Sequence, residues 1–357
     1  MEKFEIKKLQ ECDITDPFFD SLKDDYPDFI AWYNSHPERP VYINESQAGI
    51  NALLILKDDE FDVISLKDVS LPRISRIKIC TLKLNKNIRN QRLGEGAIGI
   101  ALWHWQKRPE DEIYITVFPK HMELIMLLGK FGFKDIGELY NGEHLYLKSK
   151  SSLDMTNPYT SFPFINGESD KFGILPIEDV YHDILFPYSE LQNSPLYNSD
   201  LAVSNGISKV YIATPYRNVS YVENQPVFIY RKFNGANPGH KSVITSYCTI
   251  TNLHAIKVNG IYQKTQDEYM QIIRNKSVYS PDELESIYNS NKNNILIIEL
   301  IYNGYFGKGN NINWVYLKEN GYIKDEHPYQ TILNKTQFEN LLKEGGKDER
   351  NIVINKS

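Results

Sequence analysis

Gln91-Arg92-Leu93-Gly94-Glu95-Gly96-Ala97 is the stretch on which the reading of this 357-residue chain turns. It stands between two segments of different periodicity. Upstream, Ile77-Lys78-Ile79-Cys80-Thr81-Leu82-Lys83-Leu84 alternates apolar with basic or polar residues, as a half-buried strand does. Downstream, Ile98, Ala101, Leu102 and Trp105 recur at i, i+3, i+4 and i+7, which predicts a helix that Pro109 stops. Glycines between strand and helix let the main chain approach a ligand closely, and the first amides of a helix have no acceptor inside it. With the helix dipole behind them, such donors suit a diphosphate. Lys83, Lys86, Arg89 and Arg92 add positive potential, in a run from Arg73 to Gly94 that holds seven basic residues and no acid. The same two glycines would equally serve a tight turn, so the string by itself leaves both readings open.

The flanks supply an order of elements. Residues 4–9 read as a short strand, and residues 14–35 as helical, broken near Pro27 and stopped by Pro37. Residues 41–43 and 52–56 read as paired strands, followed by a loop over 57–71. After the central strand and helix comes a β-rich run at 113–117. Pro119 then opens a second amphipathic helix, carrying Leu124, Leu127, Leu128 and Phe131 on one face and ended by Gly132. Asn141-Gly142 between two short runs predicts a closing hairpin. Polar, unpatterned residues follow. The expected division is a first domain at 1–150, a linker at 151–160 and a second domain at 161–357. In the latter, strands are expected at 210–213, 227–233, 243–250, 295–300 and 314–317, and helices near 267–274, 281–288 and 336–343.

Composition excludes several classes. No apolar run reaches the ~18 residues of a membrane helix, and Met1 to Lys8 lacks the apolar core of a signal peptide, so a soluble, cytoplasmic protein without a membrane partner is expected. Cys12, Cys80 and Cys248 lie far apart with no paired spacing, which argues against structural zinc and a disulfide framework; no metal is expected. The net charge of -6 divides evenly, -3 in residues 1–150 and -3 in 151–357, so neither half is a basic nucleic-acid module overall.

The 91–97 string resembles the acetyl-CoA-binding motif of the GCN5-related N-acetyltransferases, Gln/Arg-x-x-Gly-x-Gly/Ala. The 113–117 run and Gly129-Lys130-Phe131-Gly132-Phe133 resemble that family's next strand and its closing Lys-x-Gly-Phe signature. The resemblance covers roughly residues 1–150. It implies an α+β fold: a mixed, mostly antiparallel sheet flanked by helices. It also implies acetyl-CoA as co-substrate and direct acetyl transfer to a nucleophile, usually an amine. Amides of Leu93, Gly94, Glu95, Gly96 and Ala97 would hold the diphosphate, with Arg89, Gln91 and Arg92 beside them. The backbone of Leu82, Lys83 and Leu84 would pair with the pantetheine arm, seated in a gap between the strands at 77–84 and 113–117. Many members carry an Asn early in the last helix and a Tyr near its end as general acid. Here those positions read His121 and Leu128, and Leu128 cannot donate a proton. Glu143 and His121 are the candidates for proton transfer, Glu143 to take a proton from an ammonium and His121 because it titrates near neutrality. Each is also readable as an ordinary surface residue.

The second half resembles, more faintly, PUA-like domains of the ASCH and EVE types, on Ser208-Lys209-Val210-Tyr211-Ile212, Val227-Phe228-Ile229-Tyr230-Arg231, Ser242-Val243-Ile244-Thr245-Ser246-Tyr247 and the late Leu317-Lys318-Glu319-Asn320-Gly321 and His327-Pro328-Tyr329-Gln330-Thr331. That resemblance implies a small β-barrel binding RNA or a modified base. Tyr216, Tyr230, Tyr247 and Tyr329 would stack, Arg231 and Gln330 would pair with a base edge, and Arg217 and Lys232 would hold phosphate. With 24 tyrosines in the chain, packing within sheets is the competing explanation. The expectation is an acetyltransferase whose second domain recruits a nucleic acid, namely RNA such as tRNA. The alternatives are the same chemistry on a small-molecule or protein amine, and a non-catalytic binder of acyl-CoA and RNA. Oligomeric state is not legible.

Overall fold

The computed structural model describes residues 4–85, 91–189, 202–216, 219–324 and 328–355. It divides into two compact units, Met1–Asp154 and Met155–Ser357.

The first unit runs β1 (Glu5–Lys8), α1 (Asp20–Asp25), α2 (Phe29–Ser35), β2 (Pro40–Ser46), β3 (Gly49–Glu60), β4 (Ile64–Ser65), β5 (Ser70–Leu71), β6 (Arg76–Leu84), α3 (Leu93–Gln106), β7 (Glu112–Val117), α4 (Met122–Lys130), β8 (Lys134–Glu138) and β9 (His144–Ser149). Seven strands form one sheet in the order β1-β2-β3-β6-β7-β9-β8. Every pairing is antiparallel except β6 with β7, where the crossover through α3 brings the chain back in the same direction. The sheet is therefore mixed and mostly antiparallel, as expected. Leu53 and Ile55 of β3 pack with Phe19, Phe29 and Tyr33 into one core on the face that α1 and α2 cover. α3 is apolar nearly all round; only His104 among its residues escapes burial, so it is held as a core helix and not as a surface one.

Two local expectations change. The loop over 57–71 contains three more residues of strand after Lys57 and a small hairpin, Ile64–Ser65 against Ser70–Leu71. More consequentially, α3 begins at Leu93, so Gly94 and Gly96 lie in its first turn and neither has a positive φ. The left-handed residue at the strand-to-helix junction is Arg92, at φ 56° and ψ 21°. The turn therefore does not require the glycines, and a non-glycine residue there bears about 1–2 kcal/mol of backbone strain.

The second unit comprises α5 (Pro158–Ser161), β10 (Ile165–Asn166), β11 (Phe172–Glu178), α6 (Asp179–Leu185), α7 (Ala202–Asn205), β12 (Ser208–Ala213), β13 (Pro226–Lys232), α8 (Pro238–Lys241), β14 (Val243–Val258), β15 (Ile261–Tyr262), α9 (Gln266–Ile273), α10 (Pro281–Tyr288), β16 (Ile295–Tyr305), β17 (Ile312–Asn313), α11 (Trp314–Glu319), β18 (Ile332–Leu333), α12 (Lys335–Glu344) and β19 (Val353–Ile354). Its main sheet runs β12-β16-β14-β13-β11-β18, with β15 and β17 pairing onto β14. Among the described residues β12 and β18 end this path without pairing to each other, so the expected barrel is not closed. The expected strand at 314–317 is helical: the Asn313 side chain accepts from the Tyr316 amide at 2.9 Å and caps α11. Apolar runs as short as Trp-Val-Tyr-Leu do not distinguish strand from helix, and the preceding Asn decides here.

Candidate functional site

The pairing of β6 with β7 lasts four residues, from Arg76 opposite Glu112 to Ile79 opposite Ile115. Beyond that point each strand stays tied to its outer neighbour. β6 continues along β3 as far as Leu84 opposite Ala52, and β7 along β9 as far as Val117 opposite His144. The two inner edges from Cys80 and Thr116 onward thus face a gap, and unpaired strand-edge amides and carbonyls are a template for an extended ligand. The gap belongs to a cleft of about 1250 Å³. Gln91, Arg92, Leu93 and Gly94 border it at one end, and Met122, Leu124 and Leu127 of α4 along one side.

Of the residues singled out in the sequence, Leu82, Lys83, Leu84, Gln91, Arg92, Leu93, Gly94 and His121 line this cleft. Glu95, Gly96 and Ala97 do not. The Gly96 amide already donates to the Arg92 carbonyl at 3.1 Å, and Ala97 is fully buried in the helix. The charges are also less free than the sequence suggested. Arg92 donates twice to the Glu95 carboxylate, at 2.5 and 3.1 Å, which neutralises much of its positive potential. Lys83 donates to the Ser21 hydroxyl and lies over the Phe18 ring. Arg89 falls outside the described residues. Gly94 is where a side chain would intrude: a Cβ there would stand 3.1 Å from Leu84 Cδ1 and 3.3 Å from Leu127 Cδ2, both lining the cleft.

His121 is exposed at the N-cap of α4 and makes no side-chain capping bond. Leu128 is fully buried. Glu143 is 6% exposed and is not among the residues that line the cleft. The Tyr26 hydroxyl donates to its Oε1 at 2.8 Å, and Asn141 Nδ2 to its Oε2 at 2.9 Å. Tyr26 itself lines the cleft. The ring is 39% exposed, but desolvation of its hydroxyl, then the bond to Glu143, push the phenol above its ordinary range, so it stays neutral. Sequence reasoning missed Tyr26. Its only local signal is its place before Pro27, at a helix end, and its partner is 117 residues away.

The second unit holds another cavity, of about 1000 Å³, bordered by Tyr181, Tyr211, Tyr216, Tyr221, Tyr279 and Tyr329. Both β11 and β12 contribute to it, although four strand-to-strand steps separate them in the sheet, so the open sheet curls around this space. Tyr216, Tyr329 and Gln330 of the expected nucleic-acid set border it. Tyr230 and Tyr247 do not: both are buried in the core cluster beneath α11 and α12. Arg231 is not a base-edge donor either. It makes a bidentate pair with Asp183 at 2.8 and 2.9 Å, because a carboxylate 3% exposed requires a fixed cation. Arg217 falls outside the described residues. Among the described residues no group of three or more His, Cys, Asp and Glu side chains could hold a metal ion, and no helix is long and apolar enough to cross a membrane.

No protein-family model matches the chain, and no curated protein matches it in sequence. Among solved structures, the chain is similar to a mutant of ZmASCH from Zymomonas mobilis, with 11% identity over 48% of this chain and 95% of that one and a TM-score of 0.32. It is also similar to a GNAT-family acetyltransferase from Streptococcus agalactiae, with 12% identity over 42% of this chain and 96% of that one and a TM-score of 0.30. A third is NAA60 of Arabidopsis thaliana in complex with acetyl-CoA, at 10% identity over 42% of this chain and 100% of that one, with a TM-score of 0.29. At these identities and scores none of the three assigns this chain to a family.

Proposed function

We propose that the first unit is an acetyltransferase that moves the acetyl group of acetyl-CoA to an amine. One observation carries this reading: the open edge of β6 beyond Ile79 leads along Leu82–Leu84 directly to the N-terminus of α3 at Leu93 and Gly94. An extended arm ending in a diphosphate matches that sequence of donors, strand edge first and helix amides last. The amides of Leu93 and Gly94 would hold the diphosphate, and the Cβ-free face of Gly94 leaves the cleft open between Leu84 and Leu127.

In the reaction, the amine nitrogen attacks the thioester carbon, the C–S bond breaks, and the ammonium proton must leave. The Tyr26 hydroxyl would accept that proton while passing its own to Glu143, to which it already donates, a relay that never requires a free phenolate. The departing thiolate takes its proton from water, since Leu128 supplies none. Three free cysteines suit a reducing, cytoplasmic setting. Calorimetric titration with acetyl-CoA tests the reading. One site per chain, with release of free CoA thiol when an amine is added, supports it; no heat of binding and no thiol release refute it.

A second reading concerns the other unit. The six tyrosines around one cavity favour recruitment of single-stranded RNA through stacked bases. Binding of a fluorescent RNA oligonucleotide, lost when Tyr216 and Tyr329 are replaced by Ala, is the expected result. An oligonucleotide bound equally well without those rings rejects it.

A further inference from the structure

The part of the first-unit cleft away from the N-terminus of α3 is bordered by residues the acetyl-donor reading does not use, among them Trp32, Arg39, Lys57, Glu60 and Lys78. Lys57 of β3 and Lys78 of β6 are directly opposite in the antiparallel register. Like charges at such a pair destabilise a sheet unless something compensates them. Glu60 pairs with Lys57 and is itself 8% exposed, so its charge is spent there. Among the described residues neither Arg39 nor Lys78 has a carboxylate partner. Arg39 lies over the Trp32 ring at 5.6 Å, and Lys78 near the Tyr114 ring at 5.9 Å. Cys80, two residues along β6 at the point where the strands part, sits within the fields of Lys78, Arg39 and Lys57 together with Glu60. Three cations and one carboxylate thus lie around Cys80, just past the last β6–β7 pair at Ile79.

We infer that the acceptor is a small amine carrying its own anionic group, a carboxylate or a phosphate, held by Arg39 and Lys78 with Trp32 as an apolar wall. This rests on the acetyl-transfer reading and specifies its substrate class. A planar guanidinium fixed over an aromatic ring is a suitable fork for either anion, and an ammonium adds a second point of charge. The anion would hold the neighbouring amine at the parting of β6 and β7. The amine nitrogen forms the amide bond as the C–S bond breaks, and the acceptor's anion takes no part in the electron flow. A polyamine, by contrast, would meet Arg39 and Lys78, neither of which has a carboxylate partner among the described residues, and like-charge juxtaposition disfavours it.

The test is a panel of acceptors, read by release of CoA thiol from acetyl-CoA: α-amino acids, their carboxamides, a phosphorylated amine, spermidine and tRNA. The expected result is a kcat/KM for the carboxylated or phosphorylated amines at least about tenfold above that of the carboxamides. Arg39→Gln and Lys78→Gln should each remove about tenfold of that preference, mainly through KM, with Arg39→Lys recovering part of it. Acetyl-CoA binding by calorimetry should stay unchanged in all three variants. The carboxylate and phosphate arms decide between the two anions. Preference for spermidine, the carboxamides or tRNA, or indifference to both substitutions, overturns the inference while leaving acetyl transfer standing. Failure to bind acetyl-CoA at all overturns both and is recognised by the calorimetry.

Discussion

Replacing Gly94 by Asp separates the cofactor reading from the stability of the fold. Gly94 is the second residue of α3, has no positive φ and lines the cleft. In the helix itself Asp is the better residue: it gains a few tenths of a kcal/mol over Gly in propensity, and a carboxylate in the first turn adds about 0.3–1 kcal/mol through the helix dipole. Against this stand the approaches of 3.1 Å to Leu84 and 3.3 Å to Leu127, both to the ends of flexible side chains that yield by a few tenths of an ångström. Folding stability should therefore change little. Binding should not survive. A carboxylate roughly 5 Å from a bound diphosphate repels each unit of its charge by about 3 kcal/mol at an effective dielectric of 20, which corresponds to at least two orders of magnitude in affinity. Calorimetric titration with acetyl-CoA and a thermal melt of the same preparation read the two quantities side by side. Gly129→Ala is the control: a Cβ there meets nothing within 4 Å, so it should raise stability by up to about 1 kcal/mol and leave binding alone. If Gly94→Asp bound acetyl-CoA within threefold of the parent, the N-terminus of α3 would not be the diphosphate site.

Glu143→Gln should lower kcat for acetyl transfer by about 10²-fold with acetyl-CoA affinity unchanged; Tyr26→Phe should do the same, and the double variant should be no worse than either, because one relay is broken in each case. Steady-state kinetics of the three variants check this, and a full rate in Glu143→Gln removes the relay. Lys148 is fully buried, its ammonium donating to the Phe131 carbonyl at 2.7 Å, and burial pushes its pKa well below the ordinary lysine range. Between that lowered value and the unfolded value of about 10.4 the unfolded chain binds the extra proton, so this residue's cost falls as pH rises. Lys148→Met should therefore be more stable than the parent at neutral pH, with the difference shrinking as the pH approaches about 10.4. Denaturant melts across that range measure it, and a difference that widens with pH contradicts it. In the second unit, Tyr329→Ala should weaken binding of a single-stranded RNA oligonucleotide about tenfold without altering acetyl-CoA binding, as expected from loss of one stacking face.

The front half was legible because its signals are local. The alternation through Ile77 and Ile79, the helical spacing from Ile98 to Trp105 and the Asn141-Gly142 turn each lie within one element, and each element formed. What sequence could not show was how charges pair in space. Arg92 looked free and is engaged by Glu95 three residues on; Gly96 looked like a donor and its amide is satisfied by Arg92. The glycines at 94 and 96 suggested a loop, but the strained turn falls on Arg92 and the helix takes both glycines into its first turn. In the second half the difficulty was tyrosine. Tyr230 and Tyr247 sit on strands covered on both faces, so period-2 alternation carries no information about which rings reach solvent. Arg231 is held by Asp183, which lies 48 residues upstream, and no short-range pattern announces such a pair. Trp32, Arg39 and Lys78 come together from a helix, a loop and a strand, and only the folded sheet brings them to one wall.

Hydrogen–deuterium exchange with and without saturating acetyl-CoA tests the central claim most directly, because it reports which amides the ligand touches. Slowed exchange confined to peptides spanning the free edge of β6, residues 80–84, and the first turn of α3, residues 93–95, is the predicted result. Unchanged exchange there, or protection appearing instead in the second unit, would contradict it.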